Sequence, residues 1–256
     1  MSEPILRATD LSRTFATPTR STTALAGVSL AVPARRSLGI VGESGAGKST
    51  LLRLLLGLDR PDSGTVHFRG EELRPRDRAL MRRFRREVQV VFQDPRSSLD
   101  PRMRVRDIVA EPLRSLRVPG DHRARVAELL AAVGLDPDMA ERYPAQFSGG
   151  QRQRIAIARA LAPRPSVLIA DEPVSALDVT VRQQILALLD RLREELGMSL
   201  VMVSHDMAVV GRLCEDVLIM RAGRQVEAGP TREVFRDPQE AYTRELLAAV
   251  PQLPGA

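Results

Sequence analysis

The sequence predicts an α/β fold in which short apolar strands end in turns that carry the polar chemistry. Three stretches point to it. Residues 38–41, Leu-Gly-Ile-Val, run into a glycine-rich loop and then a leucine-rich helical pattern over 48–58. Residues 167–170, Val-Leu-Ile-Ala, run straight into Asp171-Glu172-Pro173. Residues 199–203 end in Ser204-His205-Asp206. Apolar runs this short, bounded by turn chemistry and followed by helical periodicity, are the pattern of buried strands in an α/β layer structure.

Composition narrows the field. The 256 residues are 43% hydrophobic and 27% charged, which is globular rather than disordered material. No run approaches the roughly 20 apolar residues of a membrane-spanning helix, and the best, 51–58, is broken by Arg53. A single cysteine, Cys214, excludes an internal disulfide, a four-cysteine zinc site and an iron–sulfur cluster held by this chain alone. The net charge of +6 rests on arginine, since Lys48 is the only lysine among 38 basic residues and asparagine is absent. Compositional drift accounts for such a balance. Neither it nor the arginine crowding between Arg74 and Arg86 argues for a nucleic-acid partner.

That drift makes Lys48 informative. A compact ammonium and a broad guanidinium exchange freely on a solvated surface but not inside a tight phosphate loop. Lys48 stands in Gly42-Glu43-Ser44-Gly45-Ala46-Gly47-Lys48-Ser49-Thr50, the pattern G-x-x-x-x-G-K-[ST] between a strand and a helix. The glycines let successive N–H groups converge on phosphate oxygens, and the helix starting near Lys48 turns its positive end to the same anion. Lys48 would bridge the β- and γ-phosphates and the Ser49 hydroxyl would ligate Mg²⁺, so the chain is expected to bind a nucleoside triphosphate.

Such a site needs carboxylates at a strand end. Asp171 is placed to hold the magnesium shell, and Glu172 to polarise a water in line with the γ-phosphate. His205, at the end of the next strand, is expected to contact the γ-phosphate, whereas His67 and His122 have no such setting and are read as surface residues. Gln93 follows the apolar run 88–92 and offers an amide that can ligate Mg²⁺ and move with its loop. Ser148-Gly149-Gly150-Gln151 leads into a helical run over 152–162 and makes a second helix N-terminus fit for a phosphate. One nucleotide needs both only if the second comes from another molecule, a step the residues alone do not force.

Taken together, the 42–50 loop, Gln93, Phe147-Ser148-Gly149-Gly150-Gln151, the 167–172 run, Ser175-Ala176-Leu177-Asp178 and His205 resemble the ATPase subunit of an ATP-binding-cassette (ABC) transporter. The resemblance implies a P-loop NTPase core, with ATP and Mg²⁺ bound between two cassettes packed head to tail. It implies that Glu172 is the catalytic base, that His205 senses the γ-phosphate, and that Ser148, Gly149 and Gly150 touch the partner's nucleotide. Phe15 corresponds to the aromatic that stacks on adenine, where the family usually has Tyr. Asp178 would lie across the dimer interface, or cap the helix expected over 179–196, or both.

The loop from Val91 to Met103 and the tail from Asp237 to Ala249 resemble those of oligopeptide, dipeptide and nickel importers, although Glu240-Ala241 stands where His-Pro is usual. The cysteine-rich extension of some members is not expected, because no cysteine follows Cys214. Implied partners are a second ATPase subunit, giving a heterodimer rather than a homodimer, two integral membrane permeases and, indirectly, an extracytoplasmic binding protein. The implied location is the cytoplasmic face of the membrane, and the implied role is peptide uptake. Nickel or metallophore uptake, export, a non-transport scaffold ATPase and a repair or translation cassette are the competing readings.

The expected organisation is an ATP-binding core over 1–92 and 163–229, a helical subdomain over 93–162 and a short helical tail over 230–256. The core includes an N-terminal antiparallel sheet from 5–15, 24–32 and 64–68. The helical subdomain has helices over 105–116 and 124–133, punctuated by Pro101, Pro112, Pro119-Gly120 and Pro137.

Overall fold

The computed structural model describes residues 3–17 and 20–249. In chain order it builds β1 (Leu6–Thr17), β2 (Arg20–Val32), β3 (Ser37–Val41), α1 (Lys48–Leu55), β4 (Ser63–Phe68), β5 (Glu71–Glu72) and α2 (Arg78–Glu87). There follow β6 (Val88–Val91), α3 (Pro95–Ser98), α4 (Val105–Ser115), α5 (His122–Ala132), α6 (Gly149–Leu161), β7 (Val167–Asp171) and α7 (Val179–Leu196). The chain closes with β8 (Ser199–Ser204), α8 (Met207–Leu213), β9 (Asp216–Arg221), β10 (Arg224–Pro230), α9 (Thr231–Arg236) and α10 (Ala241–Ala248). Packing divides it into two units, Met1–Asp77 with Ser199–Ala256, and Arg78–Met198. The last residues of the expected tail, 250–256, lie outside the described residues.

In the first unit β3 runs parallel to β8 on one side and to β9 on the other, and β10 pairs antiparallel with β9. Every residue of β3 and β8 is buried, which is why these strands read as continuous apolar runs instead of alternating. A second, antiparallel sheet has the order β2-β1-β4-β5. Its first two strands reach further than expected because the threonine-rich stretch pairs as a ribbon, Thr14 with Thr23 and Phe15 with Thr22. Helix α1 buries Leu51, Leu52, Leu54 and Leu55 and turns Arg53 outward. It ends at Leu55 rather than 58: the N–H groups of Gly57 and Leu58 fold back onto the Leu54 and Arg53 carbonyls, and Leu58 is left 55% exposed.

In the second unit β6 pairs in parallel with β7, from Val88 opposite Val167 to Val91 opposite Ala170. Helix α6 is apolar on most of its circumference, with Ile155, Ala156, Ile157, Ala158 and Leu161 buried. Helix α4 continues through Pro112 instead of being punctuated by it. The lost N–H costs one helical bond, while Ile108, Val109 and Leu113 on either side stay buried.

Helix α2 was not anticipated. It buries Leu80, Met81 and Phe84 and presents Arg78, Arg82, Arg83, Arg85 and Arg86 to solvent, so the arginine crowd is the outer face of an amphipathic helix. The unit is wider than the helical segment drawn at 93–162, because α2 leads into β6, β6 pairs with β7, and α7 packs on α6. His67 and His122 are each half-buried, and the His122 Nε2 lies 2.7 Å from the Val118 carbonyl. No helix among the described residues is long and apolar enough to cross a membrane.

Ile40 is fully buried on β3, opposite Val203 and Leu218 on the neighbouring strands. Replacing it by alanine is expected to cost about 2–5 kcal/mol, read as a lower urea midpoint with an unchanged slope.

Candidate functional site

The phosphate loop leaves β3 at Val41, which is paired with Ser204 of β8 and Ile219 of β9. Gly42 and His205 therefore leave the same, carboxyl ends of adjacent parallel strands, the edge at which open α/β sheets bind ligands. Glu43, Ser44, Gly45 and Ser49 are exposed, Gly47 and Thr50 half-buried, and Gly42, Ala46 and Lys48 buried. The Lys48 Nζ folds back across the loop and donates to the carbonyls of Gly42 and, at 2.9 Å, Glu43. A buried ammonium needs such acceptors, and here they are the backbone of the loop it guards.

Gly47 has φ +99°, and a Cβ there would stand 2.5 Å from the Ala24 carbonyl oxygen, so no other residue fits. Helix α1 begins at the next residue, which aims its first N–H groups and positive end at the loop. His205 is exposed, and Asp206 after it caps α8 through the N–H groups of Ala208 and Val209.

Phe15 on β1 is 43% exposed, with the Arg13 guanidinium 5.0 Å from its ring centroid. Arg13 is itself fixed by Asp62 at 2.8 Å and Asp59 at 3.2 Å. The hydrogen bond from Thr14 N–H, then that from Arg13, holds the Asp62 carboxyl below the usual carboxylate range.

In the second unit the register of β6 and β7 sets Val91 opposite Ala170, so Gln93 and the Asp171-Glu172 pair also leave one strand edge together. The Gln93 Nε2 donates to Glu172 Oε2 and to Ser175 Oγ, each at 3.2 Å. Glu172 sits at φ +43°, a left-handed conformation that costs a non-glycine residue about 1–3 kcal/mol. Ser175 secures it, its N–H and hydroxyl both donating to the Glu172 carbonyl at 3.3 and 3.2 Å. Asp171, the last residue of β7, and Glu172 are both half-buried.

The Ser148 turn is a complete capping box. Ser148 Oγ accepts from Gln151 N–H at 3.3 Å, and Gln151 Oε1 accepts from Ser148 N–H at 3.0 Å. The N–H groups of Gly149 and Gly150, in the first turn of α6, have no intrahelical carbonyl to meet. Gly149 is exposed, whereas Gly150 is buried, and a Cβ on it would stand 2.5 Å from Val181 Cγ1 of α7. Asp178 caps α7 by accepting from Val181 N–H at 2.9 Å. The turn before α6 and the start of α7 thus form one packed element.

Two residues here were missed by sequence reasoning. For Ser175 the signal is its spacing of three from Glu172, that of a local turn. Arg159, hidden in an arginine-rich chain, donates from α6 to the Ser98 carbonyl of α3 in the loop after Gln93. Burial lowers its pKa from the ordinary arginine value, against the opposing charge of Glu111. The helix that Ser148 caps and the loop that starts at Gln93 are therefore joined by one half-buried side chain.

The chain is similar to several known proteins. A family model described as ABC transporter matches residues 25–175. The chain is 52% identical over 230 residues to the oligopeptide transport ATP-binding protein OppD of Mycobacterium tuberculosis, covering 90% of this chain and 38% of that one. It is 43% identical over 261 residues to the dipeptide transport ATP-binding protein DppF of Escherichia coli, covering 99% and 78%. Among solved structures, the dimeric post-hydrolysis state of the ATP-binding cassette MJ0796, bound to ADP and Pi, matches with a TM-score of 0.79. It is 32% identical, over 89% of this chain and 99% of that chain. The chain thus spans well under half the length of OppD.

Ser148→Ala removes the side-chain half of the capping box. It is expected to cost about 1 kcal/mol and to speed amide exchange at Gln151 while leaving α4 and α5 unchanged, as read by hydrogen exchange.

Proposed function

Because the chain belongs to the ABC transporter family, we propose that it is the ATP-binding and ATP-hydrolysing subunit of an importer, energising uptake of di- and oligopeptides through partner permeases. The relatives named for oligopeptide and dipeptide transport support the cargo class. The observation that carries the reading is the Gln93–Glu172 hydrogen bond, which ties the expected base to a loop able to report its state.

Lys48 and the N–H groups of the 44–50 loop take the triphosphate, Phe15 stacks on adenine, and His205 contacts the γ-phosphate. Ser49, Gln93 and Asp171 offer hydroxyl, amide and carboxylate oxygens, a hard-oxygen set that suits Mg²⁺. Mg²⁺ when bound neutralises charge on the phosphates. Glu172 accepts a proton from the attacking water as its oxygen bonds to the γ-phosphorus, and ADP leaves. Ser148, Gly149, Gly150 and Gln151 meet the nucleotide of a second ATPase subunit, with Asp178 at the same interface. ATP favours that closed pair because its γ-phosphate gains contacts from both subunits only there, and hydrolysis removes the difference.

The permease contact is assigned to the loop over 94–103. A groove of about 430 Å³ opens there, lined among others by Pro95, Leu99, Pro101, Pro144 and Ala145. Through Arg159 this loop is joined to α6, so movement of Gln93 reaches both permease and partner cassette. The second ATPase is a different chain, the binding protein acts from outside, and the complex works at the cytoplasmic face of the membrane. The core over 1–92 and 163–229, the helical subdomain over 93–162 and the tail are the functional divisions of this reading.

Glu172→Gln keeps the side-chain length and an acceptor oxygen for Gln93 but removes the base. Phosphate release is expected to fall 10²- to 10⁴-fold while ATP binding persists and the ATP-bound pair accumulates in light scattering. Turnover at the wild-type rate would remove Glu172 from the role of base. Chelation of divalent cations is expected to stop phosphate release in the wild type, reversibly on adding Mg²⁺.

A further inference from the structure

The tail motif over 237–249 has no part in the chemistry above, yet it ends against the phosphate loop. Tyr242 of α10 is 4% exposed, and its phenol oxygen accepts a hydrogen bond from the Glu43 N–H at 3.3 Å. The Arg221 guanidinium lies 4.5 Å from the centroid of the same ring, at the end of β9. Helix α10 is in turn tied to β10. The Glu227 carboxylate accepts from the N–H groups of Gln239 at 3.0 Å and Glu240 at 3.3 Å, and from the hydroxyl of the fully buried Thr243. Burial works to raise the Glu227 carboxyl, but these hydrogen bonds and the Arg244 charge outweigh it and hold it below the usual range. Further along the loop, Gly223 N–H donates to the Ala46 carbonyl at 3.0 Å. The loop is held at its start by the tail and at its middle by the β9–β10 turn.

We propose that Tyr242 is a positioning residue of the nucleotide site: its hydroxyl fixes the first peptide of the phosphate loop, and the tail motif exists to hold that hydroxyl in place. A loop that binds an anion through its backbone must keep consecutive N–H groups convergent before the ligand arrives. The Glu43 peptide stands just before that run: Lys48 holds its carbonyl side, at Gly42, and the Tyr242 hydroxyl holds its N–H side, so loss of the hydroxyl leaves the N–H to turn toward water. Order supplied in advance lowers the entropy that the triphosphate must otherwise remove. The proposal rests on the nucleotide reading of the loop, and its test separates the two.

Tyr242→Phe in the full chain removes one oxygen and keeps the ring beneath Arg221. Amide exchange at Glu43, measured without nucleotide, is expected to quicken while β3 is unaffected. The KM for ATP is expected to rise about two- to tenfold, with kcat held within twofold. Thr243→Val, which loosens α10 from Glu227, should move both readouts the same way. Unchanged exchange at Glu43 overturns the proposal, as does a fall in kcat at constant KM. If the wild type binds no ATP but Tyr242→Phe still quickens exchange at Glu43, the latch stands and the nucleotide reading falls.

Discussion

A cradle made of backbone N–H groups keeps its shape only if the backbone that carries them is held in place. Here that constraint is met by parallel pairing. β3 is clamped between β8 and β9, and the loop that leaves it has one place to go. Gly47 closes on the Ala24 carbonyl, Gly223 N–H holds Ala46, and Lys48 folds its ammonium onto the carbonyls at the loop's start. An ammonium buried without acceptors would cost several kcal/mol, and the loop supplies them. The charge is thus kept where a triphosphate would meet it.

The second unit uses strain instead of charge. Glu172 stands in a conformation a non-glycine side chain avoids, and such residues persist only where the surroundings over-determine them. Ser175 holds its carbonyl and Gln93 its carboxylate. From Gln93 the chain runs through the capped turn at Asp94 to Ser98, whose carbonyl accepts from the half-buried Arg159 of α6. A change at the carboxylate therefore has a continuous route, through these hydrogen bonds and the chain between them, to the helix that Ser148 caps. The packing of Gly150 on Val181 extends that route to the capped start of α7.

These two devices share a logic. Each sets a functional group at a strand end, where the regular ladder stops and the backbone has unpaired groups to offer. Each then braces that end from a distance, by the β9–β10 turn and α10 in one unit and by Ser175 and Arg159 in the other. The braces carry no chemistry themselves, which is why they do not stand out as motifs.

What the sequence determined alone was local. Lys48 in its glycine-rich frame, the acids after 167–170, the Ser148 cap and the Asp178 cap are each specified within a few residues, because φ angles, caps and strand ends are short-range physics. Helix α2 escaped because its apolar triplet is diluted by arginine, and α1 seemed longer because leucine continues past the point where the chain turns. Only the tertiary structure decided which distant groups meet. Gln93 reaches Glu172 across 79 residues and Tyr242 reaches Glu43 across 199, contacts set by strand register and by the return of the tail, which no window of the chain contains.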